Sequence, residues 1–350
     1  MGTILYYYNR MQPETSVFKY PFQYNLEQGR YLPGFELAYT TYGELNPDKS
    51  NVVWICHALT GNSNPNDWWS GLVGEGKLYN PKEHFIVCAN IIGSCYGSTN
   101  PLSVDPETGK PFYHDFPLIT IRDVVGAMEL LREHLDIDRI EICIGGSLGG
   151  QQAIEWAIEC PGLIRKLILI ATNALHSPWG IAFNEAQRMA IAADKTWTDN
   201  SPSAGSEGLK AARSIAMLTY RHYDTYNFSQ ARDNFDQIDD FRASSYQQYQ
   251  GEKFRKRFNA FSYWTLTKMM DSHNVGRNRN GLVNALQIIT IPTLIIGIAS
   301  DLLFPVREQH FLQMHIPDAT YQEIDSLYGH DGFLVDYGPL TRIIQGWERR

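Results

Sequence analysis

Residues 139–160 pass from a short apolar run, through a glycine-flanked serine, into an amphipathic segment, and few folds accommodate that order. Residues 140–144 form the continuous apolar run that a buried parallel strand requires. Ala153, Ile154, Trp156, Ala157 and Ile158 recur at spacings that give a helix one apolar face. Between them lies Gly145-Gly146-Ser147-Leu148-Gly149, a match to G-x-S-x-G. A chain turning from strand to helix in so few residues forces its central residue into a strained backbone region. Neighbours without side chains avoid the resulting collisions. Ser147 then stands clear of the sheet at a helix N-terminus, and the N–H of Leu148 can face a developing oxyanion. The competing possibility is an ordinary strand–helix turn with Ser147 as a capping residue.

The same alternation continues on both sides. Residues 1–30 read as an extended, aromatic lead-in, and residues 35–42 alternate as an edge strand. Residues 51–56 are the first wholly apolar strand, ending in His57-Ala58-Leu59-Thr60-Gly61. A second oxyanion N–H is expected in that loop if Ser147 is a nucleophile, with His57 ordering the loop rather than reacting. Residues 85–90 form another strand, followed by a glycine-rich loop that lacks the Gly-Lys-Ser/Thr of a phosphate loop. Residues 120–135 form an amphipathic helix, and residues 166–171 a further strand. Strands separated by helices in this rhythm imply an α/β fold with a mostly parallel sheet covered on both faces.

The rhythm stops after Pro178. Residues 178–288 contain no buried-strand pattern, only helix-like stretches around 183–196, 208–223 and 262–272. They are expected to form an inserted helical lid and dimerisation surface between two parts of one core, residues 1–177 and 289–350. The sheet resumes at residues 292–297, with Asp301 just beyond and Pro305 at the first turn of a helix. A last strand at 320–325 leads to Gly329-His330-Asp331, and a helix at 339–347 closes the chain.

Bulk properties narrow the function. Across 350 residues, 43% hydrophobic and 19% charged content is that of a globular protein with a substantial core. A net charge of −8 with no basic run argues against nucleic acid as partner. Lys253, Lys256 and Arg257 read as a solvated helix face. Cys56, Cys88 and Cys143 lie in apolar runs, Cys95 in a loop, and no C-x-x-C pair occurs, which fits a reducing compartment. No run reaches transmembrane length and no leader pattern opens the chain, so a soluble, cytoplasmic protein is expected. Met1-Gly2 begins a myristoylation pattern, but Tyr6 stands where Ser or Thr is wanted. The histidines are scattered without ligand spacing, so no metal is expected.

Ser147, Asp301 and His330 occur in that chain order, each just past a strand, where open parallel sheets hold their sites. The chemistry wants these types. Serine is a weak nucleophile until histidine takes its proton, and a carboxylate orients the histidine and stabilises the imidazolium. Taken singly, Asp301 could cap a helix and His330 could be a loop histidine. The three in this order match an α/β-hydrolase triad.

Together with the elbow, several further motifs make the chain similar to homoserine O-acetyltransferases. They are His57-Ala-Leu-Thr-Gly61, Gly93-Ser-Cys-Tyr-Gly-Ser98, Thr120-Ile-Arg-Asp123, Ala153-Ile-Glu-Trp156, Tyr249-Gln-Gly251, His273-Asn-Val-Gly-Arg277 and Ser300-Asp-Leu-Leu-Phe-Pro305. The resemblance runs from about residue 30 to the C-terminus. It implies an α/β-hydrolase-fold acyltransferase in methionine biosynthesis, with Ser147 as nucleophile, His330 as general base and acid, and Asp301 as orienting carboxylate. Acetyl-CoA would be co-substrate and L-homoserine acceptor, with no bound cofactor and a homodimer joined through the helical lid. The oxyanion donors would be the N–H groups of Leu59 and Leu148. Arg213 and Asp331 would hold the amino acid's carboxylate and ammonium groups, with Arg221 a rival for the carboxylate. Asparagine replaces an expected aspartate at Asn259 and Asn274, Ala299 replaces another, and Asn100 replaces a glycine. These departures bear on acceptor and acyl-donor specificity. The alternatives are a homoserine or serine O-succinyltransferase, an ester hydrolase that shares the triad, and a catalytically dead binding protein.

Overall fold

Eight strands pair into one sheet in the computed structural model, which describes residues 13–232 and 234–349. They are β1 (Glu14–Tyr20), β2 (Phe35–Tyr42), β3 (Val52–Cys56), β4 (Phe85–Ala89), β5 (Ile140–Gly146), β6 (Ile164–Ile170), β7 (Thr293–Ile298) and β8 (Ala319–Ile324). Their lateral order is β1-β2-β4-β3-β5-β6-β7-β8. β2 runs antiparallel to both β1 and β4, and the remaining pairs are parallel.

One expectation needs correction. Residues 35–42 do not form the sheet's edge, because β1 pairs along the whole of β2, from Glu14 opposite Thr41 to Tyr20 opposite Phe35. The Thr40 hydroxyl is satisfied inside: its Oγ1 lies 3.1 Å from Thr15 Oγ1 and 3.0 Å from Ser63 Oγ. Residues 6–8 of the expected lead-in, and the Met1-Gly2 and Tyr6 positions, lie outside the described residues.

Alternation along each strand divides the core in two. Trp54, Cys143, Leu167 and Ile295 point to the face covered by α1 (Ile121–His134) and α2 (Leu148–Glu159). On that face Trp54 meets Trp156 edge-on, with ring centroids 4.8 Å apart. Val53, Ile144, Ile168 and Ile296 pack on the other face, with Trp69, Phe333 and Ile344. Helix α1 starts where expected because Thr120 and Asp123 form a reciprocal capping box.

Between β6 and β7 the described chain adds no strand to the sheet. It forms α3 (Pro178–Ala192), α4 (Ser206–Tyr220), α5 (Tyr223–Ser229), α6 (Arg242–Arg255) and α7 (Ala260–Asp271). Helices α3, α4 and α7 match the expected stretches, with starts moved to where caps dictate. Ser177 accepts from the Gly180 N–H, and Asn259 from the Ser262 N–H. Helices α5 and α6 were not anticipated. α6 buries only Gly251 and Phe254, so its sequence carries no apolar stripe to read. It is placed by packing on α4, where a Cβ at position 251 would lie 2.5 Å from the Lys210 carbonyl oxygen. Pro305 directly precedes α8 (Val306–His315), and α9 (Tyr337–Glu348) includes the expected final helix. Among the described residues, no helix is long and apolar enough to cross a membrane.

Candidate active site

The turn between β5 and α2 has the strained geometry that its sequence demands. Ser147 adopts φ 56°, ψ −126°, a conformation that persists only where surrounding structure enforces it. Its N–H donates to the Ile170 carbonyl at 2.9 Å, and its carbonyl accepts from the Thr172 hydroxyl at 2.8 Å. The glycines are sterically required. A Cβ at Gly145 would lie 2.2 Å from the Gly149 oxygen, and one at Gly149 would lie 2.0 Å from the Cys56 oxygen.

Asp301 follows β7, and His330 sits in the short turn Gly329–Asp331 after β8. The fold brings all three residues together. His330 Nε2 is 2.9 Å from Ser147 Oγ, and His330 Nδ1 is 2.6 Å from Asp301 Oδ2. The other oxygen, Asp301 Oδ1, accepts from the N–H groups of Leu303 at 2.8 Å and Phe304 at 2.9 Å. An ionised carboxylate only accepts, so the ring proton belongs on His330 Nδ1. The Nε2 lone pair is thereby aimed at the serine hydroxyl. The ring is held between Phe304, stacked at 5.1 Å, and Phe333, edge-on at 5.2 Å.

Leu148 is the first residue of α2, where a helix leaves its amide N–H without an intrahelical partner. Leu59 lines the same cavity as Ser147, and its N–H donates to no backbone carbonyl among the described residues. His57 orders this loop, as expected. Its Nδ1 donates to the Ala58 carbonyl at 2.9 Å, and its Nε2 accepts from the Ile91 N–H at 3.1 Å. Gln152 then ties the loop to the helix, its Nε2 reaching the His57 and Leu148 carbonyls at 3.0 and 3.1 Å.

A cavity of about 60 Å³ opens beside Ser147 and His330, and Arg213 and Asp331 contribute to its walls. Arg213 lies on α4, with its guanidinium 5.1 Å from the Tyr220 ring centroid and 4.9 Å from that of Phe254. Its Nη1 is buried and has no hydrogen-bond partner among the described residues. Arg221 instead reaches Asp331, Nε to Oδ2 at 3.2 Å, an ion pair not aligned as a hydrogen bond. Burial pushes the Asp331 carboxyl above its usual range, while Arg221 and Arg213 pull it down. Both candidate arginines keep a buried nitrogen without a hydrogen bond, Arg213 Nη1 and Arg221 Nε, and of the two Arg213 lines the cavity with Ser147.

The residues that depart from the family pattern serve local turns and do not line this cavity. Asn259 caps α7, Asn274 Oδ1 accepts from the Gly276 N–H at 2.9 Å, and Asn100 Oδ1 from the Leu102 N–H at 2.9 Å. A carboxamide oxygen caps as a carboxylate does, so the two changes from aspartate are absorbed locally, and Asn100, in place of a glycine, bonds within its own turn. Ala299 donates its N–H to the Ile324 carbonyl at 3.0 Å between β7 and β8. The arginine at the end of the run 253–257 is also more than a solvated charge. Arg257 Nη1 donates to the Thr60 carbonyl at 3.1 Å, beside the Leu59 loop. No group of three or more His, Cys, Asp or Glu among the described residues could hold a metal ion.

Three histidines around this site are buried in their neutral form. Burial lowers His57 to about 4, and His176 and His273 to about 3. Below their ordinary value near 6.5 the unfolded chain takes up these protons while the folded chain refuses them. Their contribution is complete above about pH 6.5 and is lost as pH falls toward the folded values, at up to about 1.4 kcal/mol per pH unit for each. Urea denaturation midpoints should therefore fall steadily from pH 7 to pH 5. A flat profile would mean that these rings gain protons without unfolding.

The sequence matches the family described as alpha/beta hydrolase fold over residues 51–337. A homoserine O-acetyltransferase of Cyclobacterium marinum is 50% identical over 323 residues, covering 92% of this chain and 92% of that protein. The chain belongs to the homoserine O-acetyltransferase family. The crystal structure of the Staphylococcus aureus homoserine O-acetyltransferase superposes with a TM-score of 0.80 at 29% identity, covering 97% of this chain and 96% of that one. Esterase E22 superposes with a TM-score of 0.88 at 24% identity, covering 96% and 100%, which shows the shared fold alone. Within this family frame, sequence reading missed Asn184 and Gln187, two cavity-lining amides on α3. Their one signal was a pair of polar residues at i, i+3 on a helix whose buried positions also include Gly180, Arg188 and Ile191.

Proposed function

We propose that this chain moves the acetyl group of acetyl-CoA to the hydroxyl of L-homoserine through an acyl-enzyme on Ser147, in methionine biosynthesis. One observation carries the reading: the Asp301–His330–Ser147 hydrogen-bond chain ends in a cavity that Arg213 and Asp331 also line. His330 Nε2 takes the Ser147 proton as Oγ attacks the thioester carbonyl. The N–H groups of Leu59 and Leu148 receive the oxyanion, and CoA leaves with the proton from His330. The homoserine hydroxyl then gives its proton to His330 and attacks the acyl carbon. As that tetrahedral species collapses, the ester forms and Ser147 Oγ regains a proton. Arg213 pairs with the acceptor's carboxylate, and Asp331 with its ammonium.

The helical stretch 178–288 serves as the lid that keeps water from the acyl-enzyme, since side chains of α3, α4 and α7 wall the cavity. It also serves as the homodimer surface. Tyr223, Phe228, Phe235 and Ile238 are largely exposed there, an arrangement that favours a second apolar surface. The test is thiol release from acetyl-CoA or succinyl-CoA, with L-homoserine, L-serine or no acceptor. Release from acetyl-CoA that depends on L-homoserine supports the reading. Preference for succinyl-CoA or serine replaces the substrate, and equal release without acceptor makes the chain a hydrolase.

A further inference from the structure

Helix α3 turns two carboxamides toward Ser147 that the triad does not use. Asn184 is 4% exposed and Gln187 is 2% exposed, and both line the cavity with Arg213 and Asp331. The partner behind Asn184 decides which end of its amide faces inward, and Gln187 stands with its oxygen on Tyr263. Asn184 Nδ2 donates to Asp271 Oδ1 at 2.8 Å. A carboxylate can only accept, so the Asn184 nitrogen is committed to Asp271 and its oxygen faces elsewhere. Gln187 Oε1 accepts from the Tyr263 hydroxyl, which leaves its Nε2. Neither Asn184 Oδ1 nor Gln187 Nε2 has a partner among the described residues, and neither is sealed within protein. Amide atoms of buried side chains that reach a cavity unpaired are the ones a ligand or water satisfies there.

Resting on the acetyl-transfer reading above, we propose that Asn184 and Gln187 complete the amino-acid subsite and set its selectivity for a zwitterionic acceptor. Gln187 Nε2 is the second donor to the acceptor's carboxylate, beside Arg213. Asn184 Oδ1 is the second acceptor for its ammonium group, beside Asp331. Neutral amides suit this task because Asp331 already faces Arg221. Another carboxylate near the ammonium would repel the substrate's own carboxylate, and another cation near Arg213 would repel the ammonium. A site built from polar groups that need partners discriminates strongly against an alcohol lacking them.

Gln187→Glu tests the first half. It keeps the volume and the oxygen that accepts from Tyr263, but replaces the donor with an anion. KM for L-homoserine should rise roughly 10²-fold, while Ser147 acylation by p-nitrophenyl acetate changes far less. With 3-amino-1-propanol, which lacks the carboxylate, Gln187→Glu and the parent should be alike. Gln187→Met, neutral and similar in size, should show a smaller rise of about 10-fold. Asn184→Ala tests the second half: its penalty should appear with L-homoserine and vanish with 4-hydroxybutanoate, which lacks the ammonium group. Comparing acceptors on one variant cancels any loss of folded protein. A penalty that persists with the truncated acceptors, or falls on KM for acetyl-CoA instead, overturns the inference. A parent enzyme that acylates with p-nitrophenyl acetate but never uses L-homoserine overturns the functional reading itself, and this inference with it.

Discussion

Replacing Ser147 with alanine is expected to abolish acyl transfer, lowering kcat by roughly 10⁵- to 10⁶-fold. The loss is this large because the triad acts as a unit. Without Oγ there is no covalent intermediate, and His330 and Asp301 have nothing to activate. Stability should barely move. The Ser147 backbone bonds to Ile170 and Thr172 remain, and the hydroxyl's one recorded side-chain partner is His330. Alanine also meets no greater strain than serine at φ 56°. Thiol release with L-homoserine, together with mass spectrometry for an acetyl adduct on the parent alone, checks both parts. Retention of more than a few per cent of activity would remove Ser147 as nucleophile.

Replacing Asp301 with asparagine should lower kcat by about 10⁴-fold while leaving the fold intact. The hydrogen bonds show why so conservative a change costs so much. One carboxylate oxygen serves the N–H groups of Leu303 and Phe304, and the other serves His330 Nδ1. In the variant the amide oxygen will go to the two backbone donors, because the NH₂ cannot accept from them. The NH₂ then faces His330 Nδ1, which must offer a lone pair. The ring proton moves to Nε2, where it points at Ser147 and blocks proton removal. A near-parental melting temperature with lost labelling of Ser147 by a fluorophosphonate would confirm the tautomer argument. Activity within tenfold of the parent would show that Asp301 does not set it.

Much of the catalytic geometry was legible before any fold was known. The elbow is readable because steric exclusion around φ 56° acts over adjacent residues, and the required glycines sit beside Ser147. Asp301 and His330 are readable because strand ends can be located from apolar runs, and open sheets gather such ends at one edge. The mistakes share a different cause. Residues 35–42 looked like an edge because their residues alternate, whereas β1 pairs along the whole strand and the Thr40 hydroxyl meets Thr15 and Ser63. Helix α6 gave no periodic signal because a helix packed through one glycine and one phenylalanine needs no apolar stripe. At Asn259 and Asn274 a missing carboxylate is conspicuous in sequence, while the local cap that each asparagine forms is not.

Asn184 and Gln187 mark where reading along the chain ends. Nothing local separates them from any other polar pair on a helix, because the direction an amide presents depends on Asp271 and Tyr263, far away in sequence. The two arginines of the helical segment make the same point. Arg213 and Arg221 lie eight positions apart, and the family resemblance favoured Arg213 while leaving Arg221 a rival. Short-range sterics and strand–helix periodicity thus determined the elbow, the sheet and the order of the triad from sequence alone, since those forces act between near neighbours. Only the tertiary structure decided which arginine lines the cavity with the serine. It set Arg221 against Asp331 and left Arg213 Nη1 buried without a partner, and the match between charges distant in the chain depends on packing that no local pattern contains.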